Sequence, residues 1–117
     1  MQAIGVAGPE SIEEARKYGE FCDILILDTL DVNVTGIGAA GYTHDWNLDA
    51  EIVKASKAKV IIAGGLSPEN VEEAIKIAKP WGVDSLTKTN KKLPDGRVVK
   101  DIERVAAFCK AAKSTQF

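Results

Sequence analysis

Four short apolar segments recur along the chain, each followed by a turn and then by a helical pattern. They cover residues 3–6, 22–27, 60–63 and 82–86. Most of their apolar residues are consecutive rather than alternating, which is typical of parallel strands that are covered on both faces. The pattern therefore predicts an α/β fold made of four β/α units.

The last two helical segments each carry one apolar stripe with the spacing i, i+3, i+4 and i+7. The stripes are Val71, Ala74, Ile75 and Ala78 in the first segment, and Ile102, Val105, Ala106 and Cys109 in the second. A stripe of this kind lies against a sheet. We therefore expect one face of each helix to be buried.

Several residues predict where the helices begin. Ser11 followed by Glu14 has the spacing of a capping box, and Pro68 is suited to a first helical position. Asn47 and Asp101 are expected to cap the other two helices.

Parallel strands joined by helices need right-handed crossovers, which leaves an open doubly wound sheet or the wall of a barrel. Composition does not choose between these two architectures. The longest irregular stretches, residues 29–46 and 87–99, both follow strand ends on the side where α/β folds bind ligands. We expect a single domain that covers residues 1–117.

Composition and charge exclude several classes of function. The chain is 45% hydrophobic and 27% charged, as in globular domains, and its net charge of −2 does not favour binding to nucleic acid. No segment has the length and hydrophobicity of a membrane span or a signal peptide. Cys22 and Cys109 stand alone in apolar surroundings, which indicates small buried residues and fits a reducing cytoplasm.

Asp28 is the first candidate for chemistry. It follows four consecutive apolar residues at the end of the second predicted strand. A carboxyl group with an apolar wall behind it has the environment that general acids use. An aspartate that caps a loop is the alternative, and for the residue taken alone it is the commoner case.

A second candidate site is a turn from strand to helix that contains Gly64 and Gly65. Two glycines let backbone N–H groups approach an anion closely, and a helix N-terminus favours negative charge, so the turn is suited to phosphate. Lys88 and Thr89 follow the fourth strand and could bind the same anion. A simple tight turn and a solvated lysine loop remain the alternatives.

His44, the only histidine, follows Thr43 and precedes Asp45 in a loop. A lone histidine beside aromatic residues is more often structural than catalytic. The sequence shows no Ser/His/Asp set, no carboxylate pair and no cluster with metal-ligand spacing. We therefore expect neither a metal nor a cofactor.

The same segments together resemble phosphoribosylanthranilate isomerase, an enzyme family of tryptophan biosynthesis. The family's Leu-Leu-Asp-Thr strand end corresponds to residues 26–29, and its Gly-rich loop ending in Lys-Thr-Phe-Asp-Trp corresponds to residues 41–46. Its Gly-Gly-Leu-x-Pro-Glu-Asn-Val motif is intact at residues 64–71, and Pro-x-x-Val-Asp follows at residues 80–84. The order and spacing of these motifs make the resemblance specific over the whole chain.

The resemblance implies the C-terminal half of a (β/α)8 barrel and an Amadori rearrangement of a phosphorylated aminoaldose. Asp28 matches the general acid that protonates the ring oxygen of the ribose, and Gly64 and Gly65 match backbone donors to the phosphate. Gly41, Thr43, His44 and Asp45 match the loop beside the substrate.

The sequence departs from the family in three respects. The family's general base is a cysteine at the end of the first barrel strand, in the half to which this chain has no counterpart. The family's Ser-Ser-Gly-Val-Glu is Leu-Thr-Lys-Thr-Asn at residues 86–90, and its loop lysine is Tyr42.

Three interpretations stay open. The chain is part of an isomerase and inactive alone, a non-catalytic half-barrel that binds a phosphosugar or a partner, or a different phosphosugar enzyme. In each case we expect a phosphorylated sugar or phosphate as ligand. We also expect either a homodimer or a missing N-terminal half-barrel, because Met1 lies directly before the first strand and half a barrel has two open edges.

Overall fold

The computed structural model describes residues 1–29 and 45–115. Strands and helices alternate through most of this part of the chain. In order, the elements are β1 (Gln2–Val6), α1 (Glu10–Tyr18), β2 (Ile24–Thr29), α2 (Trp46–Ala55), β3 (Lys59–Ile62), α3 (Val71–Ala78), β4 (Gly82–Val83), a 3₁₀ turn (Thr87–Thr89), β5 (Asn90–Lys92), β6 (Val98–Lys100) and α4 (Ile102–Ser114). The prediction of an α/β fold with four parallel strands is confirmed.

The four parallel strands form one sheet in the order β1-β2-β3-β4. Ala3, Ile26, Ile61 and Gly82 are register partners in one row across all four strands. Because each strand pairs with its neighbour in sequence, β1 and β4 are the edges of this sheet. The four carboxyl ends lie along one side, as parallel strands require.

One face of the sheet carries the core. Ile4, Leu27 and Ile62 are fully buried on this face and pack in clusters with residues of the surrounding helices. The residues that alternate with these along the strands, such as Ile26 and Ile61, point to the other face and are only partly buried. The consecutive apolar residues predicted a sheet that is covered on both faces. The described residues cover one face of the sheet completely and the other face in part.

The two predicted helix stripes had different outcomes. The stripe of α3 is confirmed, since all four of its residues are buried. The stripe of α4 is wrong, because Ile102 and Cys109 are exposed while Phe108 and Ala112 are buried. The prediction that Cys109 is buried fails for the same reason, and Cys22 is partly buried.

The helix starts were only partly predicted. Asp101 caps α4 by accepting the N–H groups of Glu103 and Arg104. Ser11 does not cap α1: the helix begins at Glu10, and the Ser11 hydroxyl instead accepts the N–H of Ala7 at 3.2 Å. The other two predicted starts are also wrong, since α3 begins at Val71, after Pro68, and α2 is capped by Asp45 rather than by Asn47.

Residues 87–99 are not the irregular loop that the sequence predicted. They contain the 3₁₀ turn and most of an antiparallel hairpin, in which Asn90 pairs with Lys100. The hairpin turns through Pro94, Asp95 and Gly96, and Gly96 has a positive φ of 89°. Strands of only three residues are too short to show a hydrophobic alternation, which explains why the sequence did not reveal them.

No helix in residues 1–29 and 45–115 combines the length and the hydrophobicity that crossing a membrane would need.

Candidate functional site

Two aspartates lie at the carboxyl edge of the parallel sheet. Asp28 is a register partner of Gly5, and its Oδ1 accepts the N–H of Thr29 at 2.8 Å. Asp84 directly follows β4, and its N–H donates to the carbonyl of Ile62 at 2.9 Å. With only β3 between their strands, the two carboxyl groups belong to the same site.

The pKa of Asp84 is raised above its usual value. Asp84 is exposed at the surface. The largest cause is nevertheless the partial desolvation of its carboxyl group by the residues around it, and the negative charge of Asp28 acts in the same direction. Lys100 and the backbone N–H of Ser85 oppose the rise. Asp84 therefore keeps its proton to a higher pH than a free aspartate does. No carboxylate pair was predicted from the sequence; the fold brings Asp28 and Asp84 to one edge of the sheet from positions that are distant in sequence.

The Gly64-Gly65 turn runs directly against the Asp28 carboxylate. Both glycines have positive φ, 91° at Gly64 and 69° at Gly65. A Cβ atom at Gly64 would lie 2.5 Å from Thr29 Oγ1 and 2.7 Å from Asp28 Oδ1. Glycine is required here both by the backbone conformation and by the close approach to the second strand.

Asn70 fixes the shape of the same turn. Its Nδ2 donates to the carbonyl of Gly65 at 3.1 Å, and its Oδ1 accepts the N–H of Ser67 at 2.8 Å. The helix begins only at Val71. The helix N-terminus is therefore farther along the chain from the glycines than the sequence analysis assumed, and the turn is held by side-chain hydrogen bonds.

The two other predicted phosphate ligands lie in the 3₁₀ turn after β4. The side chain of Lys88 is exposed, whereas Thr89 is 3% exposed. The Thr89 hydroxyl donates to the carbonyl of Leu86 at 3.2 Å and accepts from Lys100 Nζ at 3.0 Å. Lys100 Nζ also donates to the Leu86 carbonyl at 2.6 Å. The hairpin therefore brings a lysine to this turn.

A cavity of about 380 Å³ opens between this turn and α4. Asp84, Ser85, Lys100 and Phe108 are among the residues that line it. The Ser85 hydroxyl donates to the carbonyl of Leu66 at 2.8 Å, which joins the end of β4 to the glycine turn. The cavity thus has an apolar floor with polar groups of both charges beside the candidate site.

The predicted substrate loop is described only at its end. Asp45 is exposed, and its Oδ1 accepts the N–H of Asn47 at 2.9 Å, so its carboxylate caps α2. Gly41, Thr43 and His44 lie outside the described residues. In the part of the chain that the structure describes, no three His, Cys, Asp or Glu side chains form a group that could hold a metal ion.

Two polar residues of this site were not predicted. Asp84 stands in the Pro-x-x-Val-Asp motif and directly follows an apolar strand as Asp28 does, so the sequence could have indicated it. Lys100 carried no signal, since its position depends on the hairpin. The candidate site therefore has more charged groups than the motifs indicated.

A family model described as N-(5'phosphoribosyl)anthranilate (PRA) isomerase matches residues 3–111. The chain belongs to the phosphoribosylanthranilate isomerase family. It is 40% identical over 112 residues to N-(5'-phosphoribosyl)anthranilate isomerase 2 of Methanosarcina mazei and 42% identical over 108 residues to the isomerase of Methanocella arvoryzae. The family resemblance seen in the motifs is thereby confirmed.

Solved structures of phosphoribosylanthranilate isomerases share the fold. The enzyme of Thermotoga maritima superimposes with a TM-score of 0.73 at 32% identity, covering 96% of this chain and 50% of that one. A phosphoribosylanthranilate isomerase in complex with reduced 1-(o-carboxyphenylamino)-1-deoxyribulose 5-phosphate gives a TM-score of 0.67 at 29% identity, covering 96% of this chain and 47% of that one.

The chain spans about half the length of the isomerases it matches. The alignments cover 96% of this chain but 48% of the Methanosarcina mazei protein, and 90% of this chain but 49% of the Methanocella arvoryzae protein. About half of each relative therefore has no counterpart in the matched region.

Proposed function

We propose that this chain forms the phosphate-binding and general-acid half of a phosphoribosylanthranilate isomerase. The observation that carries the proposal is the contact between the Gly64 turn and Asp28, where a Cβ atom would lie 2.7 Å from the carboxylate. This contact puts a turn suited to phosphate beside an acid on the same edge of the sheet. One end of a phosphosugar could be held there while the acid acts on its ring.

In this role Asp28 donates a proton to the ring oxygen of the ribose as the ring opens. Gly64 and Gly65 bind the phosphate through backbone N–H groups. The exposed Lys88, next to Thr89 in the 3₁₀ turn, adds a positive charge to the phosphate site. Asp84 accepts a hydrogen bond from a sugar hydroxyl. The C2 proton needs a general base, which the missing half of the barrel would supply.

The ligand is tested by titrating the chain with ribose 5-phosphate and recording backbone amide NMR spectra. Backbone donors that bind phosphate change their chemical environment directly. We therefore expect the amide signals of Gly64 and Gly65 to show the largest shifts. Gly96, in the hairpin turn, has a similar φ and serves as the control whose signal should stay in place. Shifts elsewhere with Gly64 and Gly65 unmoved would contradict the proposal.

We further propose that the domain is half of a barrel, with the partly buried face of its sheet turned inwards. Ile24, Ile26 and Ile61 lie on that face, and parallel sheets are normally covered on both sides. The remaining half of the barrel, or a second copy of this chain, would cover these residues and pair with the edge strands β1 and β4.

Light scattering at micromolar concentration tests this assembly. The isolated chain is expected to form a dimer or a larger oligomer, because apolar area removed from water stabilises association by roughly 25 cal/mol per Å². A monodisperse 12.5 kDa particle that unfolds cooperatively would exclude the second copy.

The segment after β4 favours a second candidate, a non-catalytic or altered phosphosugar-binding member of the family. Lys88 and Asn90 stand where the family resemblance implies a glycine and a glutamate, and the Thr89 hydroxyl is engaged by Leu86 and Lys100. Phosphosugar binding without turnover, even with the complementary half present, would favour this alternative.

A further inference from the structure

Arg104 lies between the two segments that would hold a phosphate. It occupies the first turn of α4, where Asp101 caps the helix. Its Nε donates to the carbonyl of Lys88 at 2.7 Å, and its Nη2 donates to Glu69 Oε1 at 2.8 Å. One guanidinium group thus binds both the glycine turn, at residues 64–70, and the 3₁₀ turn after β4.

Other hydrogen bonds make the same connection less directly. The Ser85 hydroxyl reaches the carbonyl of Leu66, and Lys100 holds the Leu86 carbonyl from the hairpin side. Of these groups, Arg104 contacts both turns at once. A planar guanidinium with fixed donor directions can hold two acceptors in a defined geometry, which a lysine ammonium does less well.

We propose that Arg104 is a positioning residue that sets the distance between the two turns, with Glu69 as the acceptor that orients it. The inference rests on the proposed function, because the two turns matter together only if one anion lies between them. Arg104 then acts on affinity through the separation of the turns, without touching the phosphate.

Direct binding of the phosphate by Arg104 is the competing explanation, and Glu69 separates the two. A carboxylate 2.8 Å from Nη2 competes with an incoming anion for the same donor. If Arg104 were a phosphate ligand, Glu69→Gln would strengthen phosphate binding. If Arg104 positions the turns, Glu69→Gln would loosen the contact between Arg104 and the glycine turn and weaken phosphate binding.

The experiment measures the dissociation constant of ribose 5-phosphate for the full chain and its variants. We expect Arg104→Met and Glu69→Gln each to weaken binding about fivefold, the size of effect that surface ion pairs and charged hydrogen bonds allow. The double variant should bind at most about twofold more weakly than Arg104→Met, because both changes remove the same connection. Arg104→Lys should restore part of the loss.

Arg16→Met is the matched control, since Arg16 is also paired with a glutamate, Glu13, but lies in α1. It should leave the affinity unchanged, and the thermal midpoint of every variant shows whether it is folded. Tighter binding by Glu69→Gln, or wild-type affinity in folded Arg104→Met, would overturn the inference alone. Failure of the wild-type chain to bind ribose 5-phosphate would overturn the proposed function and this inference with it.

Discussion

The isolated chain is expected to turn over phosphoribosylanthranilate ~10²–10⁴-fold more slowly than the same chain mixed with a complementary half-barrel. A positioned acid or base contributes about this factor, and the proposed function assigns the general base for the C2 proton to the complementary half. The complementary half can be taken from the part of the Methanosarcina mazei isomerase that this chain does not match. The measurement is the rate of substrate consumption by the isolated chain and by the mixture, at equal concentrations of this chain.

Two aspartates of β2 and its flank provide the control for this result. Asp28→Asn should abolish the activity of the complemented sample, because the amide cannot deliver a proton. Asp23→Asn, directly before the other end of the strand, should leave the activity unchanged. Robust turnover by the chain alone that Asp28→Asn abolishes would contradict the need for a second half. Inactivity of the complemented sample would favour the non-catalytic alternative.

Gly64→Ala is expected to destabilise the fold and remove phosphosugar binding. The new Cβ atom would lie 2.5 Å from Thr29 Oγ1 and would also face a φ of 91°, so the turn has to move away from Asp28. We expect a loss of about 3 kcal/mol in the free energy of unfolding, from strain and overpacking together. The affinity for ribose 5-phosphate should fall at least about tenfold, since the backbone donors are displaced.

Gly96→Ala separates the two causes of this loss. Gly96 has nearly the same φ, 89°, but a Cβ atom there would meet nothing within 4 Å. Its substitution should therefore cost only the strain of a positive φ, about 1 kcal/mol, and leave the affinity unchanged. Denaturant unfolding of both variants gives the comparison. Equal losses for the two glycines would mean that the second strand does not crowd Gly64.

The sequence predicted the parallel sheet because its strands carry strong local signals. Four apolar segments, each followed by a helical pattern, were enough for the number of parallel strands and the α/β class. The details of α4 were not predictable in the same way. Its apolar residues fit more than one stripe, and the packing of Phe108 and Ala112 against α3 decides which face is buried.

The residues of the candidate site that stand in sequence motifs were predicted. Those that the fold brings together from distant segments were missed. Asp28, Gly64 and Gly65 stand in contiguous motifs, and their proximity follows from strand order. The pairing of Asp84 with Asp28 and the contacts of Lys100 and Arg104 depend on residues that are distant in sequence. No local sequence pattern indicates that a short hairpin brings a lysine to the end of β4.

The simple strand order has a consequence for how the chain folds. Each of β2, β3 and β4 pairs with the parallel strand that precedes it in the chain, so no pairing closes a loop that spans the whole domain. Closing a shorter loop has a lower entropic cost than closing one that spans the whole domain. During synthesis from the N-terminus, each emerging strand would find the edge of its partner already formed, and the two-residue β4 would join last.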